Sequence, residues 1–137
     1  MIKESLHVGI EWTEEFATGN GEIDTQHRRL FDMLNTLERR ISMGEPPSKM
    51  LDVFDGLVAY TREHFSFEEG CMQRCACSAA SVNKLAHQRF LRMLDTSIQG
   101  FKTQQPTIND FKALHWELTD WLCSHIRKID RSLRATS

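Results

Sequence analysis

The sequence predicts an all-α protein: an antiparallel up-down-up-down four-helix bundle with an irregular N-terminal arm. Apolar and pocket-forming residues recur at steps of three and four through four segments of about 20 residues. Short stretches carrying Pro, Gly or small polar residues part those segments. No strand-like alternation or internal repeat competes, and short connections favour antiparallel neighbours.

Residues 1–19 form the expected arm, with Ile10, Trp12 and Phe16 as apolar anchors. "TGNGEID" reads as a turn into a first helix over about 20–42, with Ile23, His27, Leu30, Leu34, Leu37 and Ile41 along one face. "MGEPPS" ends it, because proline cannot continue the hydrogen-bond ladder. The second helix, about 48–71, brings Leu51, Phe54, Leu57, Val58, Thr61, His64, Phe65 and Glu68 to one side. A connection rich in Cys, Ser and Ala follows. The third helix, about 80–101, aligns Asn83, His87, Leu91, Leu94, Ile98 and Phe101 before "KTQQPT" breaks it. The fourth, about 108–130, runs through Phe111, Leu114, Leu118, Trp121, Leu122 and His125. All 137 residues read as one domain, long enough to bury about two-thirds of its unfolded surface.

Charge and composition narrow the function. Seventeen basic and nineteen acidic side chains give a formal charge of -2, which argues against binding nucleic acid by phosphate neutralisation. No apolar run is long enough to insert in a membrane, and "MIKESLHVGIEWTEEF" is too acidic for a signal peptide, so a cytoplasmic location is expected. Cys71, Cys75 and Cys77 are bunched and Cys123 stands apart. Their C-x3-C-x-C spacing matches no common zinc module, and they read as reduced thiols in a surface connection.

The inner faces carry too much polarity for an ordinary bundle core. His27 comes from the first helix, His64 and Glu68 from the second, His87 from the third and His125 from the fourth, with Asp130 near that helix's end. One inward histidine would read as a satisfied boundary residue; His7 on the arm and His115, about 80 degrees round the helix from His125, are read that way. Four imidazoles and two carboxylates converging from four helices instead suit a pair of metal ions, and nitrogen with oxygen donors suits iron, manganese or zinc. His64 and Glu68 lie one turn apart and point at one spot. Asp130 stands about 140 degrees from His125 on a straight helix, so it reaches the same place only through a distorted last turn.

These residues resemble the hemerythrin family, in particular its bacterial domains. "GIEWTEEFATGNGEIDTQHRRLF" is similar to the family's arm and first-ligand helix, "HFSFEE" with Met72 to its second-helix motif, and "HQRFL" and "WLCSHIRKID" to its third and fourth. The resemblance implies two non-haem irons joined by an oxo or hydroxo bridge. His27 and His64 would serve one iron, His87 and His125 the other, and Glu68 and Asp130 both. Where the family carries a third histidine, one turn before His87, this chain has Asn83. An amide oxygen is a poor donor beside imidazole, so the resemblance implies an open place at either iron for dioxygen or small anions and a more readily oxidised site. Trp121 and Leu122, one turn before His125, are expected to keep the bound ligand from bulk water.

That bias favours an oxygen or redox sensor over an oxygen carrier or storage protein. A small di-iron oxidase comes third, because no general acid or base lies near the inferred site beyond the ligands. The chain runs seven residues past Asp130, through "RSLRATS". It is therefore expected to be the N-terminal part of a larger protein with a fused C-terminal signalling domain, such as a cyclic-dinucleotide cyclase.

Overall fold

The computed structural model of the protein describes residues 9–128. Four α-helices follow a short 3-10 turn at Glu14–Phe16: α1 (Gly21–Ser42), α2 (Pro47–Arg74), α3 (Ala80–Thr103) and α4 (Ile108–Lys128). The backbone brings α2 against α3 and α1, and α1 against α4. The expected bundle is the observed one. No described helix is long and apolar enough to cross a membrane.

Local chemistry sets most helix ends. Asn20 caps α1 by accepting from the backbone N–H groups of Glu22 and Ile23, and the Thr18 hydroxyl donates to Asp24 Oδ1 at 2.8 Å. At the start of α4, Thr107 and Asp110 exchange bonds in a capping box: Thr107 N–H donates to the Asp110 carboxylate and Asp110 N–H to the Thr107 hydroxyl. The prolines of "EPPS" play a different part from the one expected. Gly44, at a φ of 72°, closes α1 in a Schellman motif, and Pro46 and Pro47 open α2, where a missing N–H costs nothing.

All six inner residues expected of α1 are buried. On α2 the buried set is Met50, Phe54, Leu57, Thr61, His64, Phe65, Glu68 and Met72, so Leu51 and Val58 sit at its margin. On α3, Phe90 is buried and Leu91 only partly so. Within the described part of the arm, Phe16 stands edge-on to Phe31 at 5.0 Å, and Asn35 exchanges hydrogen bonds with both backbone groups of Ile10.

The connection after α2 departs from its surface reading. The helix runs nearly one turn further, to Arg74; Cys71 is half-buried and Cys77 is buried. Cys77 N–H reaches Met72 O and Ala76 N–H reaches Gln73 O, a second Schellman motif, with Cys77 packed on Met72 and Ile23. Its left-handed position is held by Ala76, at a φ of 52°, where a β-carbon is strained. Ala76→Gly should therefore stabilise the fold by about 0.5–1 kcal/mol, the relieved strain exceeding glycine's added freedom in the unfolded chain. A higher urea midpoint at unchanged slope would show this; a lower midpoint would refute it.

Candidate metal centre

Two apolar layers enclose one polar one. The small cluster of Ile23, Met72 and Cys77 closes the end of the bundle, and the main core, with Leu30, Phe65, Phe90 and Leu122, fills the rest. Between them lie His27, His64, Glu68, Asn83, His87 and His125, all buried. These side chains form two groups sharing one carboxylate: His27, His64 and Glu68, and Glu68, His87 and His125.

Glu68 sits at the centre, 0% exposed. Its Oε2 faces His27 Nε2 at 3.3 Å and His64 Nε2 at 3.7 Å, and its Oε1 faces His87 Nε2 at 3.1 Å. His87 Nε2 and His125 Nε2 are 3.2 Å apart. Donors bound at about 2.1 Å and near right angles stand about 3 Å from one another, so these spacings are those of atoms that share a metal.

Hydrogen bonds from outside the cluster aim two of the rings. The Glu69 carboxylate accepts from His87 Nδ1–H at 2.8 Å, and Gln26 Oε1 accepts from His64 Nδ1–H at 2.6 Å. Each leaves the Nε2 lone pair turned inward, as a metal ligand requires. Stacking fixes the planes on one side: Phe65 lies parallel to His87 at 3.6 Å and Trp121 parallel to His125 at 4.4 Å. Burial holds the His64 imidazole far below its ordinary range, at about 3, despite the opposing pull of Glu68. It is therefore neutral and able to ligate at physiological pH.

The donor set fits a pair of cations. A fully buried carboxylate is costly without a positive or donating neighbour, yet Glu68 Oε2 accepts no hydrogen bond among the described residues. Imidazole nitrogens and one carboxylate on each side suit iron, and the two clusters are positioned to chelate a di-iron centre. Asn83 lies inside the same layer, its side chain 0% exposed. Its Oδ1 lies 2.6 Å from His125 Nε2 and its Nδ2–H donates to Glu68 Oε1 at 3.3 Å.

Five of the six expected ligands thus come together, with Asn83 beside them. Asp130 and His7 lie outside the described residues. Trp121 and Leu122 take separate positions: the indole backs His125, while Leu122 lines a narrow apolar cavity of about 20 Å³ below the centre, with Leu30, Thr61, Phe65 and Phe90. His115 does not flank the centre. It donates through Nε2 to Leu34 O at 2.9 Å, in the apolar half of the bundle and about 10 Å along α1 from His27. Neither candidate metal group contains a cysteine. Sequence reasoning missed Gln26 and Glu69; the one available signal was that each adjoins an inferred ligand.

A shared carboxylate between two imidazole pairs, held by four helices, defines a di-iron bundle protein. The family described as "Hemerythrin HHE cation binding domain" matches residues 18–135. Bacteriohemerythrin of Pseudomonas paraeruginosa is 31% identical over 121 residues, covering 88% of this chain and 76% of its own. Bacteriohemerythrin of Methylococcus capsulatus is 30% identical over 123 residues, with 89% and 92% covered. A crystal structure of wild-type hemerythrin superposes with a TM-score of 0.76 at 28% identity, over 89% of this chain and 92% of that one. A hemerythrin point mutant gives 0.80 at 26%, over 93% and 95%. The chain belongs to the hemerythrin family and is a hemerythrin-type di-iron, oxygen-binding domain.

Proposed function

We propose that the domain senses oxygen or redox state through a di-iron centre in which His27 and His64 hold one ion and His87 and His125 the other. Glu68 would be shared by the two ions, and Asp130 would be the second shared carboxylate. Bound iron supplies a place for a small ligand and a one-electron change at each ion. The side chains supply the rest. Trp121, Phe65 and Phe90 cover the His87–His125 side from water, and the apolar cavity beside Leu122 suits a small, uncharged ligand such as dioxygen.

The observation that carries the sensing reading is Asn83. A neutral amide, which donates to Glu68 and lies 2.6 Å from His125 Nε2, occupies the ligand layer where a further imidazole would have closed a place at the metal to oxidants and small anions. A site so furnished responds quickly to oxidants, which suits a sensor better than a store.

Anaerobic iron loading should give about two irons per chain, one for each donor group, with bridge-to-iron charge-transfer absorption after oxidation. One zinc per chain, or no metal, would refute the di-iron assignment. The sensing role is tested in the full reading frame, by measuring any signalling domain that follows Asp130 with the iron reduced and oxidised. Equal output in both states would leave the carrier reading in its place.

A further inference from the structure

The two sides of the centre match in donor count: two imidazoles and one oxygen of Glu68 each. They differ in what stands behind one imidazole of each pair, His87 and His64. His87 Nδ1–H donates to the carboxylate of Glu69, whereas His64 Nδ1–H donates to the neutral amide of Gln26. A ring whose far N–H is held by a carboxylate takes on imidazolate character and becomes a stronger donor, and one held by an amide does so less. A stronger donor favours the higher charge on the ion it binds.

We propose that Glu69 and Gln26 act as positioning residues that make the two metal positions unequal, so that the His87–His125 side holds the ferric ion and the His27–His64 side the ferrous ion at one-electron reduction. The inference rests on the di-iron reading above. From the fully oxidised protein, the first electron goes to the His27–His64 side at the higher potential. The second goes to the His87–His125 side at the lower one, giving two ferrous ions for two electrons. The location of Glu69 allows this. Its side chain is 27% exposed and borders a solvent-facing cleft with Gln73, Ser81 and Lys84, while its Oε2 reaches the buried ring.

The test is a mediated redox titration of the iron-loaded protein with dithionite, followed by electron paramagnetic resonance of the mixed-valent state. The native chain should reduce in two one-electron steps. Glu69→Gln should raise the lower step and leave the upper one in place. Gln26→Glu should lower the upper step. A tenfold change in ferric over ferrous preference corresponds to about 59 mV for one electron, and each variant should move its own step by at least that much. Iron content and circular dichroism of each variant separate these shifts from misfolding, and a variant that loses its iron is replaced by Glu69→Asp or Gln26→Asn, expected to move the same step less. A chain that takes up no iron would refute the di-iron reading itself. A single two-electron step in the native chain, movement of the opposite step, or no movement in any variant would refute the inequality while leaving that reading intact.

Discussion

Replacing Glu68 by Ala is expected to empty both metal positions together. Glu68 is the member common to both donor groups, with one oxygen turned to each side. Losing it takes an anionic donor from both ions at once and leaves each with two imidazoles and the proposed shared carboxylate of Asp130, too few donors to hold ferrous iron well. His27→Ala removes a donor from one side and should spare the other. The expected iron contents after anaerobic loading are close to none for Glu68→Ala and about one for His27→Ala, against about two for the native chain. Misfolding is excluded by circular dichroism of the metal-free variants, which should keep the native helix content. Retention of about two irons by Glu68→Ala would overturn the shared-carboxylate assignment.

Asn83→His should slow oxidation of the reduced, iron-loaded protein in air at least several-fold. The amide is fully buried, and its Oδ1 lies 2.6 Å from His125 Nε2, within the ligand layer itself. An imidazole built there is a much better donor than a neutral amide and closes the place to solvent and small anions. Asn83→Ala is the control. If hydrogen bonds alone hold the amide, Ala keeps both irons at nearly native affinity. Loss of one iron on Asn83→Ala would make the amide a true ligand, and an unchanged oxidation rate in Asn83→His would show that this corner does not govern the reaction with oxygen.

The regular parts of this molecule were legible because their signals are periodic. Each inner stripe of α1 repeats at helical spacing, and the same periodicity carried His27, His64, Glu68, Asn83, His87 and His125 to one layer. The parts that were not legible depend on contacts with no fixed spacing. Glu69 follows Glu68 on the same helix and reads as a solvated neighbour, and only its 2.8 Å bond to a ring on another helix gives it a role. Gln26 beside His27 is the same case. The length of α2 was misjudged because its stop signal is absent: Ala76, not glycine, takes the left-handed position. Cys77 read as exposed because a polar-looking connection hides a hydrophobic contact with Met72.

The polar layer lies at one end of the bundle, and this bears on how the protein is made. The larger apolar cluster runs from Phe16 and Ile41 through Phe54, Leu94 and Phe111 to Ile126, and all four helices contribute to it without any ligand residue. A domain nucleated by its metal, as a small zinc module is, has no such independent core. Here the chain has enough of one to assemble first and be metallated afterwards. Iron then acts as a late ligand that tightens one end by mass action. A cell short of iron would accumulate folded, empty protein, ready to be filled when supply returns, rather than unfolded chain destined for proteolysis.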